Sequence, residues 1–147
     1  MVIARLNINK IEKNLSLIQE FLIGLKELSS MSLEEFLSDK RNPSSAESYL
    51  RRSLEAIFDT GRHILAKTYG YKELEYKDIA RQLGERGIVE RDYSKILIKM
   101  AGYRNRMVHL YHEITNEEIY HILKENLIDI ERFITEIARF LEDYKMG

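Results

Sequence analysis

The chain has 147 residues and a net charge of −1, which makes it the size of one ordinary domain and excludes a protein that coats nucleic acid through a broad cationic surface. It contains no cysteine, which excludes disulfides and thiolate metal sites and suits a reducing compartment. Charged residues make up 32%, with one proline and no tryptophan, a balance that suits a helical bundle with salt-bridged outer faces.

Apolar residues recur at helical spacing almost throughout, and no strand pattern appears. Ile8, Ile11, Leu15, Ile18, Leu22 and Leu25 form the stripe of a first helix, ended by Ser29-Ser30. Ser32 with Glu35 is a capping-box pattern that opens a short helix, Leu33 to Leu37. Ser38 to Pro43 reads as a loop, with Pro43 at the entry of the next helix. That helix runs from about Ser44 to Tyr69, with Leu50, Leu54, Ile57, Phe58, Ile64 and Leu65 inward and Gly70 as its stop. Gly70 to Lys77 is a polar, tyrosine-rich connection. Asp78 to Leu83 forms a short helix closed by Gly84 and Gly87, and Ile88 and Val89 tuck into the core. Asp92 to about Val108 is a further helix, with Ile96, Leu97 and Met100 inward. Thr115 with Glu118, a second capping box, starts a last helix with the stripe Ile119, Ile122, Leu123, Leu127, Ile130, Ile134, Ile137 and Leu141. Four long and two short helices predict an all-α antiparallel bundle forming one domain, 1–147. The apolar runs are far too short to span a membrane, and the start MVIARLNINK lacks the apolar core of a signal peptide, so a cytoplasmic protein is expected.

Chemistry concentrates in one run, Arg104-Asn105-Arg106-Met107-Val108-His109-Leu110-Tyr111, at the end of a helical pattern. On an ideal helix Arg104 and His109 point roughly 140° apart. Either the helix ends between them or a second chain completes the site. Asn105 and His109 are four apart and can hydrogen-bond, which would orient the imidazole. The functional reading is phosphodiester chemistry on RNA. His109 would act as general base on a ribose 2′-hydroxyl or as acid on the leaving oxygen, while Arg104 would hold the phosphate by a two-pronged contact. Neither role needs a metal. The structural alternative is a helix end whose arginines pair with acids and whose His109 caps carbonyls.

The Arg104-x4-His109-x-Tyr111 spacing resembles the Arg-x4-His-x-Tyr signature of the HepT-like toxins, small HEPN-domain proteins. The likeness extends to Lys99-Met100-Ala101-Gly102-Tyr103 before it, to Asp78 through Val89, and to Leu54-Glu55-Ala56-Ile57-Phe58-Asp59 with His63. The resemblance implies a four-to-five-helix bundle of the HEPN type, acting as a homodimer with a cleft between protomers. It implies a metal-independent endoribonuclease toxin of a type VII-like toxin–antitoxin pair, without a cofactor, with Arg104 and His109 catalytic and RNA, tRNA included, as substrate. It also implies a partner, a minimal nucleotidyltransferase antitoxin that neutralises the toxin by AMP transfer to Tyr111. Two other readings stay open: a non-catalytic nucleotide- or RNA-binding module serving a nucleotidyltransferase, and a structural or regulatory helical dimer.

Around the run, Asn105 reads as an orienting residue and Arg106 as either a phosphate contact or a surface arginine. Glu55, Asp59 and His63 share one helix face, as a shell that positions Arg104 or as a buried salt bridge to any arginine. Arg51-Arg52 and Arg62 either widen a phosphate surface or are solvated helix charges, and Tyr69, Tyr71 and Tyr76 either stack on bases or cover the rim. Gly84-Glu85-Arg86-Gly87 lacks the lysine and preceding strand of a phosphate loop. His109, His112 and His121 with Glu113 or Glu117 do not have a standard metal-ligand spacing.

Overall fold

A computed structural model describes residues 5–147, apart from the Tyr111 side chain. It contains α1 (Ile8–Ser29), α2 (Leu33–Ser38), α3 (Arg41–Tyr69), α4 (Tyr76–Glu85), α5 (Arg91–His109), a 3₁₀ turn (Tyr111–Glu113), α6 (Asn116–Glu125) and α7 (Leu127–Met146). Among the described residues there is no strand. The long α3 is the spine: α1 packs along it, and it also touches α2, α4, α5, α6 and α7. Its inward face supplies Ile57, Phe58, Ile64 and Leu65, all fully buried, which join Ile11, Ile18 and Leu25 of α1 and Phe133 and Ile137 of α7 in one apolar core. No helix among the described residues is long and apolar enough to cross a membrane.

The helix ends follow the side-chain chemistry. Ser32 accepts from the Glu35 amide at 3.1 Å, and the Glu35 carboxylate accepts from the Ser32 amide at 3.1 Å, completing the first capping box. Gly70 closes α3 in the left-handed conformation, φ 74°, where a side chain would be strained. At the second box Thr115 accepts from the Glu118 amide, but the Glu118 carboxylate turns away to Arg106.

Three boundaries depart from expectation. First, α3 starts at Arg41 and not at Ser44, because the Asp39 carboxylate accepts both the Arg41 amide and its guanidinium. Those bonds hold the Asp39 pKa down at about 2. Pro43 then sits in the first turn of α3, where its missing N–H would have had no helical partner. Second, the last helix is two: Asn126, at φ −116° and ψ 1°, breaks the backbone while the apolar stripe runs on through Leu127 and Ile130. Third, α4 extends from Tyr76 to Glu85, so Gly84 lies inside it. A Cβ there would fall 2.4 Å from the Ser94 Cβ, so Gly84 serves the close approach of α4 to α5 rather than a helix stop. On α5 the buried anchor is Tyr93, fully enclosed with its hydroxyl donating to the Asp129 carbonyl at 2.6 Å, whereas Ile96 is only half-buried.

Candidate functional site

The α5 helix continues without interruption through His109, and the break comes after it, at Leu110 (φ −129°, ψ 38°). Of the two ways to unite Arg104 with His109, a helix end between them is therefore removed. The two side chains leave α5 on different faces and enter different surroundings.

Arg104 lies inward, its side chain 19% exposed. One guanidinium nitrogen, Nη2, donates to Glu55 Oε2 at 3.2 Å, across to α3. The plane rests 4.5 Å from the centre of the Tyr76 ring, and that ring stacks on Phe58 at 4.7 Å. Burial pushes the Tyr76 phenol up, against the opposing pull of Arg104. Arg104 Nε is buried with no hydrogen-bond partner. The guanidinium is thus oriented by a carboxylate and an aromatic platform while keeping donors uncommitted. Tyr76 is a contributor that the sequence does not signal, because a tyrosine in a polar connection reads as a base-stacking or rim residue. On the phosphodiester reading of Arg104, replacing Tyr76 with leucine should lower RNA cleavage about tenfold, whereas Tyr76→Phe, which keeps the ring, should stay within about twofold of wild type in kcat/KM. Equal losses in both variants would show that the hydroxyl, not the platform, matters.

The rest of the expected shell divides. Glu55 is shared between Arg104 and Arg51, and Arg51 is also held by Glu47 at 3.0 Å. Asp59 is exposed and pairs with Arg62 at 3.4 Å, not with Arg104. His63 lies further along α3, where its Nε2 accepts the Asn7 amide at 3.1 Å at the start of α1. Burial, then the nearby Lys10 and Lys67, hold the His63 pKa below the ordinary value. A histidine with a depressed folded pKa contributes stability above its unfolded pKa and loses it as pH falls through the folded one. The melting temperature should therefore fall on acidification below about pH 6.5, and His63→Gln should flatten that part of the profile. An unchanged pH dependence in His63→Gln would refute it.

His109 is exposed and lies in a shallow groove of about 470 Å³ with Lys77, Lys99, Gly102, Asn105 and Arg106 along it. Asn105 reaches the same groove but makes no hydrogen bond to His109. Arg106 is clamped from two nitrogens by Glu118, at 2.6 and 3.0 Å, so its charge is answered from α6. Arg52 lies over the Phe21 ring at 4.6 Å. Arg86 lies over Tyr69 and Tyr71 and donates to the Tyr71 hydroxyl, which binds those tyrosines into the rim. The Tyr111 backbone forms the start of the 3₁₀ turn, one residue past the α5 cap. Its side chain lies outside the described residues. Among the described residues no three His, Asp or Glu side chains cluster as a cation site.

The family described as "Ribonuclease HepT-like" matches residues 11–137. A protein of Aphanizomenon flos-aquae named tRNA nuclease HepT is 28% identical over 131 residues, covering 89% of each chain. A Shewanella oneidensis protein named mRNA nuclease HepT is 31% identical over 88 residues, 60% of this chain and 66% of that one. Among solved structures, the tri-AMPylated Shewanella oneidensis HEPN toxin in complex with MNT antitoxin superposes with a TM-score of 0.79 at 25% identity, covering 88% of this chain and 97% of that one. The Bacillus subtilis cytosolic protein YutE, of unknown function, shares the fold at a TM-score of 0.80 and 22% identity, covering 98% of this chain and 95% of that one.

Proposed function

The chain belongs to the ribonuclease HepT-like family, and from that premise we propose that it is the endoribonuclease toxin of a toxin–antitoxin pair, working without a metal at a site shared between two protomers. The observation that carries this reading is the placement of Arg104-x4-His109 on one unbroken helix. The arginine is oriented inward with free donors, and the imidazole is exposed in a cationic groove. In a dimer, Arg104 of one protomer approaches His109 of the other. The imidazole removes the ribose 2′-hydroxyl proton, and that oxygen attacks the adjacent phosphorus. The guanidinium stabilises the charge that develops on the phosphoryl oxygens. Solvent water donates a proton to the leaving 5′-oxygen, and the imidazolium returns its proton to solvent.

Neutralisation by AMP transfer to Tyr111 has its support in the tri-AMPylated relative held by an MNT antitoxin. The turn that carries Tyr111 begins two residues after His109. An added phosphate there places negative charge beside the cationic groove and repels RNA.

The test is cleavage of a tRNA pool in EDTA by wild type beside His109→Ala. Cleavage should persist under chelation and fall by about 10²- to 10³-fold in the variant. Equal cleavage by both proteins would remove His109 from the mechanism, and loss on chelation would remove the metal-free step. After co-expression with a nucleotidyltransferase antitoxin, intact mass should rise by whole AMP units in wild type and not in Tyr111→Phe. Inhibition without any mass change would replace modification with simple binding.

A further inference from the structure

We infer that the groove beside His109 is a track for the sugar–phosphate backbone of a single RNA strand, gripped by Lys77 of α4 and Lys99 of α5 away from the reacting phosphate. The inference rests on the ribonuclease reading and adds the residues that hold the substrate.

Its first ground is charge. Lys77, Lys99, Arg106 and His109 line the groove, and no aspartate or glutamate does. Several neighbouring arginines are answered: Arg106, itself on the groove, by Glu118, Arg51 by Glu47 and Glu55, Arg62 by Asp59, and Arg81 by Asp78. Lys77 and Lys99 are exposed and belong to none of the ion pairs among the described residues. Two unanswered cations in a concave strip without carboxylates select a polyanion. They disfavour a second copy of the same face, which would set lysine against lysine.

The second ground is Gly102, on the groove between the lysines and His109. A glycine inside a helix costs about 1 kcal/mol relative to alanine. Gly61 and Gly84 have an intramolecular reason, since a Cβ at either would strike a neighbouring side chain closer than 3.0 Å. At Gly102 a Cβ would meet nothing within 4 Å. No contact within the chain requires the missing side chain, and its absence leaves bare helix backbone as the groove floor, where a strand can approach closely. Lys99 stands ten residues before His109, about 15 Å along α5. The phosphates it holds therefore lie a few nucleotides from the one cleaved, and a second protomer needs to reach only the His109 end. Asn105 and the half-buried Tyr103 ring, also on this groove, offer an amide and an aromatic face to bases.

The test measures binding in the His109→Ala chain, so that bound RNA is not cut, with a fluorescein-labelled mixed-sequence single-stranded RNA as probe. Lys77→Gln with Lys99→Gln should weaken binding about tenfold or more and lower the slope of log Kd against log salt by about 1.4, which is about 0.7 for each lysine that no longer neutralises a phosphate. Lys13→Gln with Lys145→Gln, an equal change of charge outside the groove, should alter neither. Gly102→Leu should keep its helical signal and melting temperature while losing affinity. Indistinguishable binding by the two lysine pairs, or no binding at all by the His109→Ala chain, would overturn the inference. So would a Gly102→Leu variant that binds RNA normally but changes oligomeric state, since that assigns the face to a second copy. Lysine-dependent binding by a protein that cuts no RNA would leave the groove standing and remove the ribonuclease reading instead.

Discussion

Heterodimers built from one Arg104→Ala chain and one His109→Ala chain should cleave RNA, although each variant alone should be slower than wild type by about 10²- to 10³-fold. The expectation comes from the geometry of α5. The helix runs unbroken from Arg91 to His109, so the Arg104 and His109 side chains leave it roughly 140° apart and do not meet on one phosphate within a chain. Arg104 is also tethered inward by Glu55 and Tyr76. If each site takes Arg104 from one protomer and His109 from the other, the mixed dimer holds one site with both groups and one with neither. Purified through a different tag on each chain, it should show about half the wild-type rate per dimer. A site contained within one chain predicts the opposite, because every chain in the mixture is crippled. Recovery therefore separates the two arrangements, and its absence, with heterodimers verified by mass, would overturn the shared site.

How far the sequence could be read depends on the range of the interaction involved. Signals closed within a few residues were legible: the stripe of α1, the Ser32–Glu35 box and the stop at Gly70 all appear where local chemistry puts them. The early start of α3 turns on Asp39 reaching its own chain neighbour Arg41, a bond that competed with the expected entry at Pro43. The break at Asn126 was hidden because both α6 and α7 keep their apolar residues in phase across it. At the site, the run 104–111 stands out by composition, but its surroundings are tertiary. Glu55 lies 49 residues from Arg104, and helical spacing alone could not separate it from Asp59, which turns to Arg62. Tyr76 acquires its place only once α4 folds back on α3 and brings the ring between Phe58 and Arg104. Spacing favoured a bond from Asn105 to His109, yet both side chains open into the groove instead, where a substrate can compete for them.

Glu136→Ala should be among the most destabilising single changes, lowering stability by about 2–3 kcal/mol and the melting temperature by about 5–10 °C. Glu136 is 3% exposed, on the buried face of α7. One carboxylate oxygen accepts the Glu90 amide at 2.8 Å and Arg139 at 2.8 Å, and the other lies 3.5 Å from Arg132. Arg132 in turn donates to Glu90 and Asp92 and rests 4.8 Å over the Tyr93 ring. Glu90 is the N-cap of α5 and supplies no side-chain cap of its own, so a carboxylate from α7 serves the amino end of that helix. Removing it leaves an amide unpaired and two arginines without their central anion. Those arginines are partly exposed and can turn to water, which keeps the cost below that of a fully buried pair. Glu136→Gln retains an acceptor for the Glu90 amide and should lose about half as much. Urea unfolding with an unchanged m-value would assign the loss to the folded state, and a midpoint equal to wild type would refute the argument. The consequence reaches the site, because α5 is pinned at Glu90 and carries Arg104 and His109 at its other end. Near its lowered melting temperature the variant should lose RNA cleavage in step with the folded fraction, whereas at low temperature its cleavage per folded molecule should match wild type.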